Sequence, residues 1–543
     1  MGAAIVSARR ITVVGSGPSA VHFVLTVLRK GYSVTMLDVG FEKPAAVNPG
    51  DSLLKLKSSL PDPTSFFLGE DFHAVLLPGA KGEYYGIPPA KDYIFRSPDG
   101  FDVQGRGFEP LFSFAAGGLA ETWTAGCYPF NAAEVSDFPF PFAELAAGYD
   151  EVAARIGVTG EADDLARFYP VHAHLMEPLR LDRHSALFMQ QYAKHRAALN
   201  AGMKCYVGRT RVATLSSDMA GRKACSYLGR CLWGCPTLSL YTPSVTLAEC
   251  KQFPNFQYVP GQRVTHFRYD SAARVTAAVA VPREGGSAQE FPVETLVLAA
   301  GALCSTKIFL DSIHKDSGET PALRGLMDNR QILVPFLNLR LIGARWEPES
   351  YQYHLLGLGV EMPDPRHYVH GQITTLKTAM THPIMQNLPV DMKTAAFLVK
   401  HLHAALGIVN VNHHDAPRPE SIVTLEAGAG NGETKLIVQY APPLGEAQFM
   451  RQSVGTVKRA LQKLGCIVPP GMAHVRPMGA SAHYAGTLPM SAKKKRFTTS
   501  PLGQSHDFEN LFIADGATFP FLPAKNITFS LMANAVRIAN AAF

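Results

Sequence analysis

Residues 11–40, ITVVGSGPSAVHFVLTVLRKGYSVTMLDVG, decide the fold of this chain. Ile11 to Val14 is a continuous apolar run of the kind a strand buried on both faces requires. Gly15-Ser16-Gly17-Pro18-Ser19-Ala20 follows as G-x-G-x-x-A. Gly15 permits a tight turn, Gly17 lets the backbone approach a pyrophosphate, and Ala20 lets the next helix lie close on the strand. That helix, expected over Pro18 to Arg29 with Pro18 and Ser19 in its first turn, points unpaired amides and the positive end of its dipole at the phosphates. After Gly31 a second strand, Ser33 to Leu37, delivers Asp38 at the distance of an acid that binds a ribose hydroxyl. The stretch therefore reads as a unit for a dinucleotide with a free adenosine ribose, FAD or NAD rather than NADP.

The 543 residues exceed the size at which one core keeps growing, so two domains or one large composite body are expected. A 47% hydrophobic content is ordinary for a globular protein. No apolar run approaches the ~20 residues of a membrane span, and the first strand starts too early for a signal peptide ahead of it. Met1-Gly2 invites a myristoylation reading, but Val6 stands where Ser or Thr is required. The expected location is cytoplasmic. A net charge of +6 is too dilute over this length to argue for nucleic acid, and the basic block Lys493 to Arg496 lacks interleaved aromatics. It reads as a solvated loop.

Residues 41–110 are rich in Pro, Gly and aromatics and read as an ordered excursion lying over the surface or the cofactor. The stretch AAGGLAETWT, 115–124, would let backbone approach a large planar ligand through Gly117 and Gly118. A helix is expected over Phe142 to Ile156 and helical patterns run through 157–204. Cys225, Cys231 and Cys235 cluster without a near fourth ligand, so a buried thiol group is preferred to zinc; His401, His403, His413 and His414 have no ligand spacing. No metal is expected. From Asn255 the pattern alternates as in a hairpin or meander, and ETLVLAAGA, 294–302, reads as a second buried strand returning to the nucleotide sheet. Residues 331–475 carry long strands and one helix over Gly445 to Leu464, the signature of an antiparallel sheet covered by helices on one face. Near the end, SAHYAGT (481–487) and NLFIADGATFPFLPAKNITFSLMANAVRIAN (510–540) hold a strand ending at Asp515-Gly516 and a helix over Thr528 to Asn540.

With the opening unit, the LVLAAGALCSTKIF return and the NLFIADGATFP ending, the chain resembles the glucose-methanol-choline (GMC) family of FAD-dependent oxidoreductases, nearest to its sugar and alcohol oxidase and dehydrogenase branch. The resemblance runs over most of the chain and implies an α/β fold with a Rossmann-like, discontinuous FAD-binding domain (1–165, 205–330 and 476–543). An α+β substrate domain on an antiparallel sheet takes 166–204 and 331–475. In H-x-x-G-T, His483 would be the catalytic base, and Asn526, before the last helix, its partner. Besides the grip of Gly15, Gly17, Pro18, Ser19 and Asp38, the resemblance puts Gly117, Gly118, Thr122, Val264, Gly301, Asp515, Gly516 and Thr528 along FAD, with Val264 by the adenine.

Three departures bear on the site. Ile527 follows Asn526 where the family usually has Pro, and Leu488-Pro489 stands where it commonly reads C-R after G-T. Thr122 occupies the place of the His through which pyranose oxidases tether their flavin, so non-covalent FAD is expected. The implied activity is oxidation of an alcohol to a carbonyl: a neutral His483 accepts the hydroxyl proton while Asn526, which cannot titrate, fixes the oxygen. The expected partners are a small-molecule alcohol, a sugar, aminosugar, glycoside or cyclic polyol, and oxygen or another electron acceptor. The alternatives are a lyase using the same His with redox-silent FAD, and an oxidase of a sterol, terpenoid or aliphatic alcohol.

Overall fold

The computed structural model describes residues 9–75, 83, 85–378, 381–386, 388–428 and 433–543. Val6, and residues 76–82 and 84 of the 41–110 excursion, lie outside them. The opening unit forms as its sequence dictates: strand Arg10–Val14, helix Pro18–Arg29, strand Ser33–Leu37. At Gly15, φ is +96°, and a Cβ there would stand 2.8 Å from both the Ala299 carbonyl oxygen and the Ala300 Cα, so only glycine closes this turn.

These strands enter a five-stranded parallel sheet in the order Leu511–Ile513, Thr295–Leu298, Arg10–Val14, Ser33–Leu37, Phe256–Val259. Its apolar residues divide between two faces, which is why the runs read as continuous rather than alternating. Ile11, Val13, Met36 and Val297 pack against the helices Pro18–Arg29, Phe142–Ile156 and Thr528–Ala542. Val14, Leu37, Leu298 and Ile513 pack against helix Ala302–Ser317 and the meander Gln262–Tyr269, Val275–Pro282, Gln289–Pro292.

The second large element is a seven-stranded sheet, antiparallel at every pairing. Strict alternation gives it two unlike faces. Ile332, Val334 and Phe336, Val409 and Val411, Val369 and Ile373 pack under helices Arg183–Met203 and Glu446–Lys463. The intervening residues, Gln331, His370, Gln372, Asn410 and Asn412, put carboxamides and an imidazole on the other face, with register pairing Gln372 to Asn410 and Gln331 to Asn412.

Three strands lie elsewhere than in the sequence-based division. Cys205–Arg209, expected with the nucleotide domain, is an edge strand of the seven-stranded sheet, delivered there directly by the preceding long helix. Ile422–Ala427 and Thr434–Gln439, expected in the antiparallel sheet, instead pair with each other, with Leu323–Arg324 and, in parallel, with Asp102–Arg106. Their apolar residues Val423, Leu436 and Val438 join the core of helix Ala302–Ser317. Alternation reports that a strand has one buried face; it carries no information on which core that face joins.

Candidate active site

Between the two sheets lies a cavity of about 540 Å³. Gly15, Gly17, Pro18, Ser19, Asp38, Gly118, Thr122, Val264, Gly301, Asp515, Gly516 and Thr528 line it, together with His483 and Asn526. Gly117 stands one residue behind the wall, in a left-handed turn, its N–H donating to Ser16 Oγ at 3.0 Å. Ser16 in turn donates to Asp38 Oδ2 at 2.5 Å, and Tyr258 donates to the same oxygen at 2.9 Å. Burial pushes the Asp38 carboxyl up to about 6 against these bonds. Asp515 is engaged otherwise: Oδ2 accepts from Gly301 N–H and Ser305 Oγ, Oδ1 from Ala517 N–H, so the acid ties the ends of two neighbouring parallel strands together.

The cavity fits a dinucleotide. A Cβ built at Gly17 or at Gly301 meets no protein atom within 4 Å, so both glycines face space rather than a neighbour. The helices beginning at Pro18, Ala302 and Thr528 all start on the cavity wall, and none has a side-chain cap. Their N-terminal amides suit an anion or an electron-rich ring edge. Thr122 Oγ1, Gln262 Oε1, Tyr353 OH and Asn410 Oδ1 line the same space, buried and without a hydrogen-bond partner among the described residues. Polar atoms so placed are open to a ligand or to ordered water.

His483 sits in a loop that follows Ala482, whose φ is +58°, and the loop is pinned by Asp328, which accepts from Gly479 N–H at 2.6 Å and from Ser481 Oγ. The next residue, Asn329, orients the ring. Its Nδ2 donates to the carbonyls of His413 at 2.8 Å and Pro523 at 2.9 Å, leaving Oδ1 to face His483 Nδ1 at 3.0 Å. Oδ1 can only accept, so Nδ1 carries the proton and Nε2 presents a bare lone pair. Burial, and secondarily the Arg476 guanidinium, hold the imidazole down at about 4, neutral at physiological pH.

Asn526 is oriented in the same manner. Gln372 Nε2 donates to its Oδ1 at 2.6 Å, which leaves Nδ2 as the free donor. Beside it, Lys525 is fully buried and gives its three hydrogens to Glu134 Oε2 at 2.5 Å, Pro129 O at 2.8 Å and Phe168 O at 2.8 Å. Asp328, Asn329, Gln372 and Lys525 are the residues that motif reading missed. Asn329 and Gln372 lie 154 residues from their partners, and nothing local in the sequence marks them.

Among the described residues no group of three His, Cys, Asp or Glu is placed to hold a metal. His403 stacks on Trp346, His413 bonds Ser453, His414 stacks on His367, and His401 lies against Phe397. Cys225, Cys231 and Cys235 are partly buried, and desolvation raises the Cys225 thiol to about 11 and Cys231 further, away from the thiolate form. Lys493 to Arg496 are exposed, as a solvated loop should be.

Residues 469–535, which carry both His483 and Asn526, match the C-terminal model of the GMC oxidoreductases. The 2-methyl-1,2-propanediol dehydrogenase of Mycolicibacterium austroafricanum is 22% identical over 97% of this chain and 94% of its own length. The paromamine 6'-oxidase of Streptomyces fradiae is 21% identical over 98% and 90%. The crystal structure of pyridoxine 4-oxidase from Mesorbium loti superposes with a TM-score of 0.60 at 14% identity, covering 98% of each chain. Among the described residues no helix is long and apolar enough to cross a membrane.

Proposed function

We propose, from the match of residues 469–535 to the GMC oxidoreductases, that this chain oxidises the CH–OH group of a sugar, aminosugar, glycoside or cyclic polyol to a carbonyl, with FAD bound non-covalently in the cavity. When bound, FAD supplies the acceptor for the hydride that leaves the carbinol carbon. The chain's residues manage the proton and the oxygen. His483 Nε2, left bare by the Asn329 contact, takes the hydroxyl proton. Asn526 Nδ2, left free by the Gln372 contact, donates to the same oxygen and steadies the negative charge that grows there. An acceptor and a donor on the wall of one cavity are thus available to one hydroxyl. Thr122 has no ring nitrogen to form a flavin bond, which supports non-covalent binding; its unpartnered Oγ1 offers a hydrogen bond instead.

The contact between Asn329 Oδ1 and His483 Nδ1, from which the tautomer follows, is the observation that carries this reading. Eight free cysteines suit the reducing cytoplasm, which completes it. The test is anaerobic mixing of the purified yellow protein with sugars, aminoglycosides, sterols and aliphatic alcohols, then admission of air. Bleaching by a hydroxylated ring compound supports oxidation, and the speed of recovery in air separates an oxidase from a dehydrogenase. Turnover of substrate with the flavin absorbance unchanged would show a lyase instead.

A further inference from the structure

The walls of the cavity differ in charge. Its lining acids, Asp38, Asp311 and Asp515, all belong to the nucleotide sheet and its helices, and Asp311 is paired with Lys307 at 2.9 Å. Around His483 and Asn526 the lining comes from the antiparallel sheet and its approaches: Gln331, Gln372, Asn410, Tyr85, Tyr353 and Arg476. Among the described residues no carboxylate lines this part. The acid beside it, Glu83, keeps a side chain 5% exposed and spends Oε1 on Arg476 Nε at 2.6 Å and Oε2 on His474 Nε2 at 2.8 Å. Asp328 is turned away onto the Ser481 loop and does not reach the wall.

Arg476 is therefore the charge presented to a substrate. Its Nη1 donates to Gln331 Oε1 at 2.5 Å, its face lies 4.9 Å from the Tyr85 ring, and Nη2 has no partner among the described residues. Asn410 adds a buried Oδ1 with no partner. Nη2 asks for an oxygen and Oδ1 for a hydroxyl; an ammonium group would satisfy only the second, and would lie beside a guanidinium.

We propose, building on the alcohol-oxidation reading, that the substrate is a hydroxylated compound without a cationic group, one of its oxygens meeting Arg476 and one of its hydroxyls Asn410. Ammonium-bearing alcohols, paromamine among them, are then poor substrates here despite the likeness to a paromamine 6'-oxidase. Like charges brought together in a partly desolvated site repel more strongly than in water.

The experiment uses the intact holoenzyme and matched pairs: glucosamine and N-acetylglucosamine, paromamine and its N-acetylated form, ethanolamine and N-acetylethanolamine. Each compound is assayed anaerobically for flavin bleaching and titrated by calorimetry for its Kd. The N-acetyl member should be favoured at least tenfold, about 1.4 kcal/mol, in both measurements. The gap should close at a pH that deprotonates the amine, because the charge that the guanidinium repels is then gone. Arg476→Gln should shrink or reverse the preference, since Glu83 loses its guanidinium, while Arg476→Lys should retain it. Should the variants fail to fold, the pairs on unaltered protein still decide. Equal or better performance by the ammonium members overturns the proposal, as does a set in which no N-acetyl member binds or reacts while other alcohols do. If no alcohol at all bleaches the flavin, the oxidation reading fails and takes this one with it.

Discussion

With both Nδ2 hydrogens given to backbone carbonyls, Asn329 has only an acceptor left for His483, and that constraint settles which ring nitrogen can work as a base. Asn329→Leu should keep bound FAD but lower kcat/KM by about 10- to 100-fold, the cost of a lost buried hydrogen bond and a freed ring. Asn329→Asp makes a sharper case. A carboxylate opposite Nδ1 favours imidazolium, so it raises the His483 pKa from about 4 and moves the acid limb of kcat/KM to higher pH. An unshifted pH profile would show that Asn329 does not position the ring. His483→Ala should retain the yellow colour and bleach about 10²- to 10⁴-fold more slowly with substrate; an unchanged rate would remove its role as base.

At the scale of elements, the turn at Gly17 and the loop before the last helix separate folding from binding. Gly17 has φ −65° and ψ −178°, open to any L-residue, and a Cβ there touches no protein atom. Gly17→Val should therefore fold with a near-normal apo Tm and fail to take up FAD; loss of fold together with flavin would contradict the cradle. Lys525→Met is the converse. It leaves Glu134 buried without its partner, costing about 3–5 kcal/mol of unfolding free energy. Lys525→Met with Glu134→Leu should recover much of that loss in denaturant titrations. The opening βαβ unit, the return strand ending before Gly301 and the final helix were legible because each packs with near neighbours or carries a period-bound pattern. The Lys525 anchor was not, since its three acceptors are residues 129, 134 and 168, between 357 and 396 positions away.

For the whole molecule, buried histidines set the response to acid. His184, His354, His413 and His414 are held at about 3–4 by burial, so the unfolded chain binds more protons than the folded one below pH 6.5. Stability should fall as pH drops from 6.5 toward 4. Asp38, Asp328 and Asp515, raised to about 6 by burial, act oppositely over the same window, but the buried histidines outnumber them. Tm measured from pH 7 to 4.5 should decline steadily, and a flat or rising curve would refute this balance. Fold class was readable from the sequence because hydrophobic period fixes element type; sheet membership was not, because neither the continuous burial of Cys205–Arg209 nor the alternation of Ile422–Ala427 says which core the strand joins. The two-faced antiparallel sheet bears on how such a protein can change over generations. Side chains that hold it together point one way and those that meet a guest point the other, so positions such as Asn410 are free to vary without spending stability. A library randomised at Asn410 should yield altered substrate preference at nearly constant expression, while one at Val409 and Val411 should yield mostly aggregates.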